Sequence, residues 1–177
     1  ITVDNFSSLL PEDTYYKGYV ARYGVAISGQ LNLVRDCYTL SHRHGFLVDS
    51  RVSGPNVFFF FFFDKSISAS EPHHRWSTGG LYDNVKDFIA IQDRLRHADG
   101  HGWAGANYVV WNCEGPLICQ QPPTAQNWAV GHVGKKIEGD FVKEKPELTD
   151  GYCESYGKHV IPQSLYLAQL KRRLRDG

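Results

Sequence analysis

The chain lacks methionine, net charge and any long apolar stretch. It has 177 residues, no Met, and 19 charged side chains of each sign. This balance gives no electrostatic footprint for nucleic acid, and no apolar run is long enough to span a bilayer. We therefore expect neither nucleic acid nor a membrane as partner. Because the chain begins at Ile1 and shows no signal-peptide pattern, we interpret residues 1–177 as the C-terminal portion of one longer domain, with a missing N-terminal chain or another subunit as partner.

Cysteine is scarce, and its spacing excludes the commonest metal motif. The four cysteines, Cys37, Cys113, Cys119 and Cys153, contain no CxxC pair, so we predict no structural zinc and no other metal site. One or two disulfides would suit a secreted protein, whereas four free thiols would suit stacked strands. The sequence leaves these two alternatives open.

Short stretches rich in β-branched and aromatic residues recur along the chain, and Gly, Pro, Asn, Asp and Ser separate them. This pattern indicates many short strands joined by turns. Only the end of the chain indicates a helix, over 162–176: Ser164 can cap it, and leucines at helical spacing line one face. The predicted strands are Tyr19–Ser28, Leu31–Tyr38, Gly45–Asp49, Asn56–Phe60, Val85–Gln92, Asn107–Asn112 and Trp128–Val133.

The strands also repeat at intervals of about 22 to 27 residues, a period typical of solenoids. Similar tetrads begin at Val34, Asn56, Tyr82 and Tyr108. No helical segment recurs between them, so we predict an all-β fold, a right-handed parallel β-helix with a C-terminal capping α-helix over its open end. A β-sandwich is the competing architecture, because the same short strands could build it.

Six consecutive phenylalanines, Phe58 to Phe63, form the most apolar stretch. In a regular strand they would place three rings on each face. An exposed row of rings would be an aggregation hazard, so we expect either a strand covered on both faces or an aromatic platform.

Several long segments resemble a family of right-handed parallel β-helix proteins distantly related to the pectate-lyase-like superfamily. The order of the segments is the same, and the resemblance runs from about residue 20 to the end of the chain. The sequence departs from that family after "NVFF", where the family carries a polar or Cys residue, and at Cys153, where the family tends to carry Trp. The matching segments are "RVSGPNVFF" (51–59), "PHHRWSTGGLYDNV" (72–85), "GHGWAGANYVVWNCEG" (100–115), "QNWAVGHVG" (126–134) and "YGKHVIPQSLYLAQL" (156–170).

The resemblance implies the fold and an association with carbohydrate, but it implies no particular reaction. From the resemblance we expect a polysaccharide or oligosaccharide as partner. We also expect the protein to be secreted and extracellular. By analogy Ca²⁺ is the cofactor to consider, although nothing in the sequence requires one.

A dense cluster of polar side chains predicts where chemistry would occur. Stacked rungs lie about 4.8 Å apart, so segments one period apart become neighbours. Histidine can transfer protons near neutral pH, Arg can bind a uronate carboxylate, and Trp offers a flat face for a sugar ring. The predicted catalytic residues are Arg51, His73, His74, Arg75 and His101. The predicted substrate-binding residues are Asp49, Trp76, Tyr82 and Trp103.

These residue types suit a polysaccharide lyase acting on an acidic polysaccharide by β-elimination. A glycoside hydrolase would need two carboxyl groups at a fixed separation, and no local pair stands out. A non-catalytic, sugar-binding or structural β-helix is the third alternative. His101, between glycines and close to a Trp, could equally be a packed turn residue.

Overall fold

The computed structural model describes residues 1–10, 22–139 and 148–176, and these residues form fifteen short strands and two helices. Of the predicted strand Tyr19–Ser28, the part before residue 22 lies outside the described residues. The helices are α1 (His97–Gly100) and α2 (Leu165–Asp176). The strands are β1 (Thr2–Asp4), β2 (Ser7–Leu9), β3 (Tyr23–Ile27), β4 (Asn32–Leu40), β5 (His44–Val48), β6 (Asn56–Asp64), β7 (Glu71–Pro72), β8 (Ser77–Thr78), β9 (Gly80–Asp83), β10 (Ile89–Ile91), β11 (Gly105–Ala106), β12 (Val109–Trp111), β13 (Leu117–Cys119), β14 (Trp128–Val130) and β15 (Tyr152–Glu154).

The strands stack into a parallel β-solenoid of about five turns. One face is an eight-stranded sheet in the order β1-β4-β6-β9-β12-β14-β15, with β2 also paired to β4. Shorter ladders, β3-β5-β7, β10-β13 and β8-β11, form the other sides, and every pairing between named strands is parallel. The predicted fold class is confirmed. The β-sandwich alternative is wrong, because it would need antiparallel sheets packed face to face.

The core is a column of side chains in register from rung to rung. Val34, Phe58, Tyr82, Val110 and Ala129 pair in succession and are fully buried. Each rung hides its inner face only against its neighbours, as in other solenoids. The predicted repeat was therefore right, but the tetrads beginning at residues 56 and 108 were aligned two residues too early.

A second column, at one corner of the solenoid, explains how the Phe run is accommodated. The second residue after each of these core positions has a positive φ, and Phe60, at +46°, is one of them. This bend interrupts the alternation, so Phe58 and Phe61 both point into the core. Phe59 is buried on the outer face beside Tyr166 of α2, while Phe62 is 39% exposed. Phe63 also packs against the core, so three rings lie inside and three outside as predicted, but they do not alternate strictly, because the strand is not straight.

A segment that we call the strap, residues 156–164, runs back along the outer face of the large sheet before α2. Asn112 donates its two side-chain amide hydrogens to the carbonyls of Val160 and Gln163, and its side-chain oxygen accepts from the Val160 N–H at 2.8 Å. The Ser164 hydroxyl accepts from the Leu167 N–H at 3.0 Å, which confirms the predicted cap.

Helix α2 is fixed to the middle of the solenoid rather than to its last rung. The carboxylate of Asp83, on β9, accepts from the Ser164 hydroxyl and from the Tyr166 N–H, both at 2.7 Å. The predicted helix is present, but it begins at Leu165 and docks along the side of the sheet. Neither described helix is long and apolar enough to cross a bilayer.

All four cysteines are free thiols, with Cys37, Cys113 and Cys119 buried and Cys153 exposed. Of the two alternatives left open by the sequence, the structure shows the one without disulfides.

Candidate functional site

Histidines and arginines line one open groove of about 440 Å³ on the side of the solenoid, and we call it the histidine groove. Strands β3 and β5 form one wall, the turn after β7 forms the floor, and α1 with the residue after it forms the far wall. Its lining residues are Arg22, Tyr23, Ala26, Arg43, Leu47, Asp49, His73, His74, Arg75, His97 and His101.

Backbone pairing between rungs brings these separate segments together. The Arg75 N–H donates to the His101 carbonyl at 2.9 Å, and the Arg51 N–H donates to the Arg75 carbonyl at 3.0 Å. The imidazole centroids of His73 and His74 lie 5.2 and 5.1 Å from that of His101. The prediction that His73, His74, Arg75 and His101 share one groove is thus correct in its geometry, and Asp49 lies there too.

At the edge of the histidine groove, three residues with large side chains have backbones in the left-handed region. The φ angles of Arg51, Arg75 and Trp76 are +58°, +54° and +59°. Residues other than Gly, Asn and Asp adopt such angles rarely, at a cost of about 1–2 kcal/mol each. Strain of this kind concentrates at functional sites, although Leu31, Lys65 and Leu95 adopt the same conformation elsewhere.

His73, His74 and His101 are neutral at pH 7, and they share the groove with arginine side chains. Burial, followed by the charge of Arg94, lowers the pKa of His73 and that of His101 to about 4. Burial also lowers the pKa of His74, although Asp49 opposes the effect. The groove therefore combines neutral imidazoles, which can accept protons, with the guanidinium groups of Arg22, Arg43 and Arg75, which attract anions.

A buried ion pair lies beneath the groove, and the sequence did not predict it. Glu71 and Arg94 are only 3% and 5% exposed, and Arg94 Nη1 lies 2.7 Å from Glu71 Oε1. Glu71 Oε1 also lies 2.8 Å from His73 Nδ1. The only hint in the sequence was a pair of charged residues at the edges of apolar strands, a pattern that usually indicates a turn.

His44, Glu71 and His73 could offer a metal three ligand atoms within 4.8 Å of one another. The Arg94 guanidinium, however, already contacts the Glu71 carboxylate and lies 3.1 Å from His73 Nδ1. A cation at this point would face a fixed positive charge. One carboxylate with two imidazoles also suits Ca²⁺ poorly, since Ca²⁺ takes six to eight oxygen ligands. We therefore interpret the cluster as an ion pair and not as a metal centre.

Four predicted residues lie elsewhere. Arg51 is exposed and is not among the lining residues of the groove. Trp76, 39% exposed, follows Arg75 but also lies outside the groove. Tyr82 packs in the core column with no exposed surface, so its assignment to substrate binding is wrong: its strand position points inward. Trp103 lines a different groove.

That second depression, the tryptophan groove, has a volume of about 360 Å³ and carries no charged side chain among its described lining residues. The segment 101–103 joins the two grooves, since His101 lines one and Trp103 lines the other. Its lining residues are Trp103, Gln121, Pro122, Pro123, Thr124, Leu148 and Thr149.

Comparisons with protein-family models, curated proteins and solved structures found no match to this chain. The fold thus defines a parallel β-solenoid, while the resemblance to pectate-lyase-like β-helix proteins stays a prediction from the sequence.

Proposed function

We propose that the protein is a secreted, carbohydrate-active β-helix whose histidine groove cleaves an acidic polysaccharide by β-elimination. One observation carries the proposal: neutral imidazoles and guanidinium groups face the same open groove. A polyuronate presents one carboxylate on each sugar, next to the carbon that loses its proton. In the groove, several guanidinium groups can bind that carboxylate, and several imidazoles can accept that proton.

The chemistry needs two functions from the groove. A guanidinium group, such as that of Arg75 or Arg43, would pair with the uronate carboxylate and stabilise the charge that develops when the neighbouring C–H is broken. A neutral imidazole would take that proton, since its lone pair is free at pH 7. The three centroids of His73, His74 and His101 lie within 5.3 Å of one another, so one bound sugar could reach any of them.

The glycoside hydrolase alternative finds less support in the groove. Asp49 carries the only carboxylate among the described lining residues, and a hydrolase needs two across the scissile bond. Another carboxylate close to the groove, Glu71, is buried and paired with Arg94. A non-catalytic role in sugar binding would use the tryptophan groove as well as the arginines, and it becomes the preferred function if no turnover is found.

The test is incubation of the protein with a panel of acidic polysaccharides while the ultraviolet absorbance of the unsaturated product is followed. His101→Ala and His74→Ala should each lower turnover by about 10²–10⁴-fold, the usual contribution of a general base or acid. Folding should be largely intact, because both side chains line the groove rather than the core.

His159→Ala is the matched control, because His159 is a partly exposed histidine that lines a different depression. It should leave turnover unchanged. If the absorbance does not rise with any acidic substrate but sugar binding is measurable, the non-catalytic alternative replaces the proposed reaction.

A further inference from the structure

The buried Glu71–Arg94 pair lies against one histidine of the groove in particular. Arg94 Nη1 contacts Glu71 Oε1 and the backbone carbonyl of His73, each at 2.7 Å. Glu71 Oε1 in turn lies 2.8 Å from His73 Nδ1. Burying two opposite charges gives little net stability compared with apolar packing, so the pair calls for another explanation.

Counting hydrogens decides which His73 tautomer this geometry requires. Arg94 Nη1 carries two hydrogens, and its two 2.7 Å contacts, to Glu71 and to the His73 carbonyl, use both of them. Its 3.1 Å approach to His73 Nδ1 is therefore not a hydrogen bond. An ionised carboxylate only accepts, so the 2.8 Å contact requires a hydrogen on Nδ1 that is donated to Glu71.

The opposite tautomer would bring two acceptors into contact. A lone pair on Nδ1 would then face the Glu71 carboxylate oxygen at 2.8 Å with no hydrogen between them. With the hydrogen on Nδ1, the lone pair of the ring belongs to Nε2. Because His73 lines the groove and its side chain is still 13% exposed, the ring is held between a buried anion and the open site.

We propose that Glu71 and Arg94 are positioning residues that hold His73 as the Nδ1–H tautomer, so that its Nε2 is the base of the histidine groove. This inference rests on the function proposed above and adds the identity of the base. In the reaction, the proton next to the uronate carboxylate passes to Nε2, and the C–H electrons form the new double bond. The C–O bond to the leaving sugar breaks, the leaving oxygen takes a proton from water, and the imidazolium returns its proton to the hydroxide so formed.

Of His73, His74 and His101, it is His73 for which the structure fixes both the tautomer and the main chain. His74 lies 3.8 Å from Asp49 through Nδ1, a contact too long for a hydrogen bond. His101 Nδ1 is buried without a hydrogen-bond partner among the described residues. Neither ring has an equivalent of the Glu71–Arg94 pair, which favours His73.

Nitrogen-15 NMR of the histidine side chains in the full chain tests the tautomer directly, with or without a known substrate. The wild-type protein should show His73 as Nδ1–H, and Glu71→Gln should shift it toward Nε2–H, because the amide can also donate. A wild-type His73 found as Nε2–H would overturn the proposal, and this measurement does not depend on any variant folding.

Once an acidic polysaccharide that the protein cleaves has been identified, kinetics provide the second test. Glu71→Gln should lower kcat by about 10²–10⁴-fold with KM nearly unchanged, since the base and not the carboxylate contact is altered. Arg94→Lys should lower it less, because a lysine keeps the charge but lacks the planar guanidinium group that fixes the direction of its hydrogens. Asp87→Asn is the matched control, a buried carboxylate bonded to serines, and should keep both the tautomer and kcat.

Two outcomes separate this inference from the function on which it rests. If no acidic polysaccharide is turned over while His73 is Nδ1–H and responds to Glu71→Gln, the proposed reaction fails and the positioning pair stands. If turnover occurs but Glu71→Gln keeps the wild-type kcat and tautomer, the inference is wrong and His74 or His101 is the base.

Discussion

At one corner of the solenoid, each rung places one residue in the left-handed region of the Ramachandran map. Short polar residues or glycine occupy six of the seven described positions, which suits a conformation that Asn, Asp and Gly adopt most easily. Phe60 is the exception, because its side chain is large and apolar. The positions and their φ angles are Asn5 (53°), Asp36 (52°), Phe60 (46°), Asn84 (56°), Asn112 (47°), Gly131 (69°) and Ser155 (52°).

Phe60→Asn should stabilise the protein. Asn adopts this backbone conformation at lower cost than Phe, and we expect a gain of about 0.5–1.5 kcal/mol in the free energy of unfolding after the contact with the Phe59 ring, 4.4 Å away, is lost. Urea unfolding followed by tryptophan fluorescence measures the change.

Phe62→Asn is the control for the loss of an aromatic ring, since Phe62 is more exposed and is not among the residues with positive φ. It should give no gain. Equal gains in both variants would show that backbone strain at Phe60 is not the cause.

Asp87 makes stability depend on pH between about 4 and 6. Burial raises its pKa from 3.8 to about 6, although hydroxyl groups of Ser66 and Ser70 donate to it. The folded state therefore binds a proton that the unfolded state releases in this window. The contribution of Asp87 is most favourable below pH 4 and falls as pH rises through 6, by about 3 kcal/mol for two pKa units.

Asp87→Asn should remove this dependence. Relative to the wild type, the variant should gain stability as the pH is raised from 4 to 7, measured as the difference between their urea unfolding free energies. The histidines titrate alike in both proteins, so they cancel in the difference. A flat difference for Asp87→Asn would refute the assignment.

At this scale the sequence predicted the groove residues better than their supports. His73, His74, Arg75 and His101 share a short polar run or lie one period apart, so a solenoid brings them together. Glu71 and Arg94 gave no such signal, because a buried ion pair depends on three-dimensional contacts between rungs. Tyr82 was misassigned because its pattern does not reveal which way a strand residue points when neighbouring rungs bend.

At the scale of elements, the strap adds contacts that link residues far apart in the sequence. Asn112 and Asn84 each bond to strap atoms about 50 to 80 positions away. Local patterns cannot predict such bonds, whereas the rung repeat arises from neighbouring strands and was predictable. The capping position of Ser164 was predictable for the same reason, but the place where α2 docks was not.

Asn112→Asp should loosen the strap. The substitution keeps an acceptor for the Val160 N–H, but it places a carboxylate against the carbonyls of Val160 and Gln163, which each lose this donor. We expect a loss of about 2 kcal/mol and faster hydrogen exchange of the Val160 amide.

Asn107→Asp is the matched control, because Asn107 is exposed and has nearly the same backbone conformation, with φ at +57°. It should change neither stability nor exchange. Unaltered protection of the Val160 amide in Asn112→Asp would show that the strap does not depend on this side chain.

At the scale of the whole molecule, a net charge of zero conceals a local excess of positive charge. Arg22, Arg43 and Arg75 line the histidine groove, against Asp49 as its described carboxylate. Overall charge balance therefore says little about the ligand of a single groove. The uncharged tryptophan groove lies next to it along 101–103, so a polymer could meet a cationic surface and a neutral one in succession.

The strap also determines how the molecule would respond to force. Tension applied at the C-terminal end reaches α2 first, through the contacts of Ser164 and Tyr166 with Asp83. The bonds to Asn84 and Asn112 would then break one after another, because the strap crosses the rungs in turn. The stacked rungs would bear load only after the strap has detached. The strap would therefore yield first and delay the unfolding of the solenoid under force.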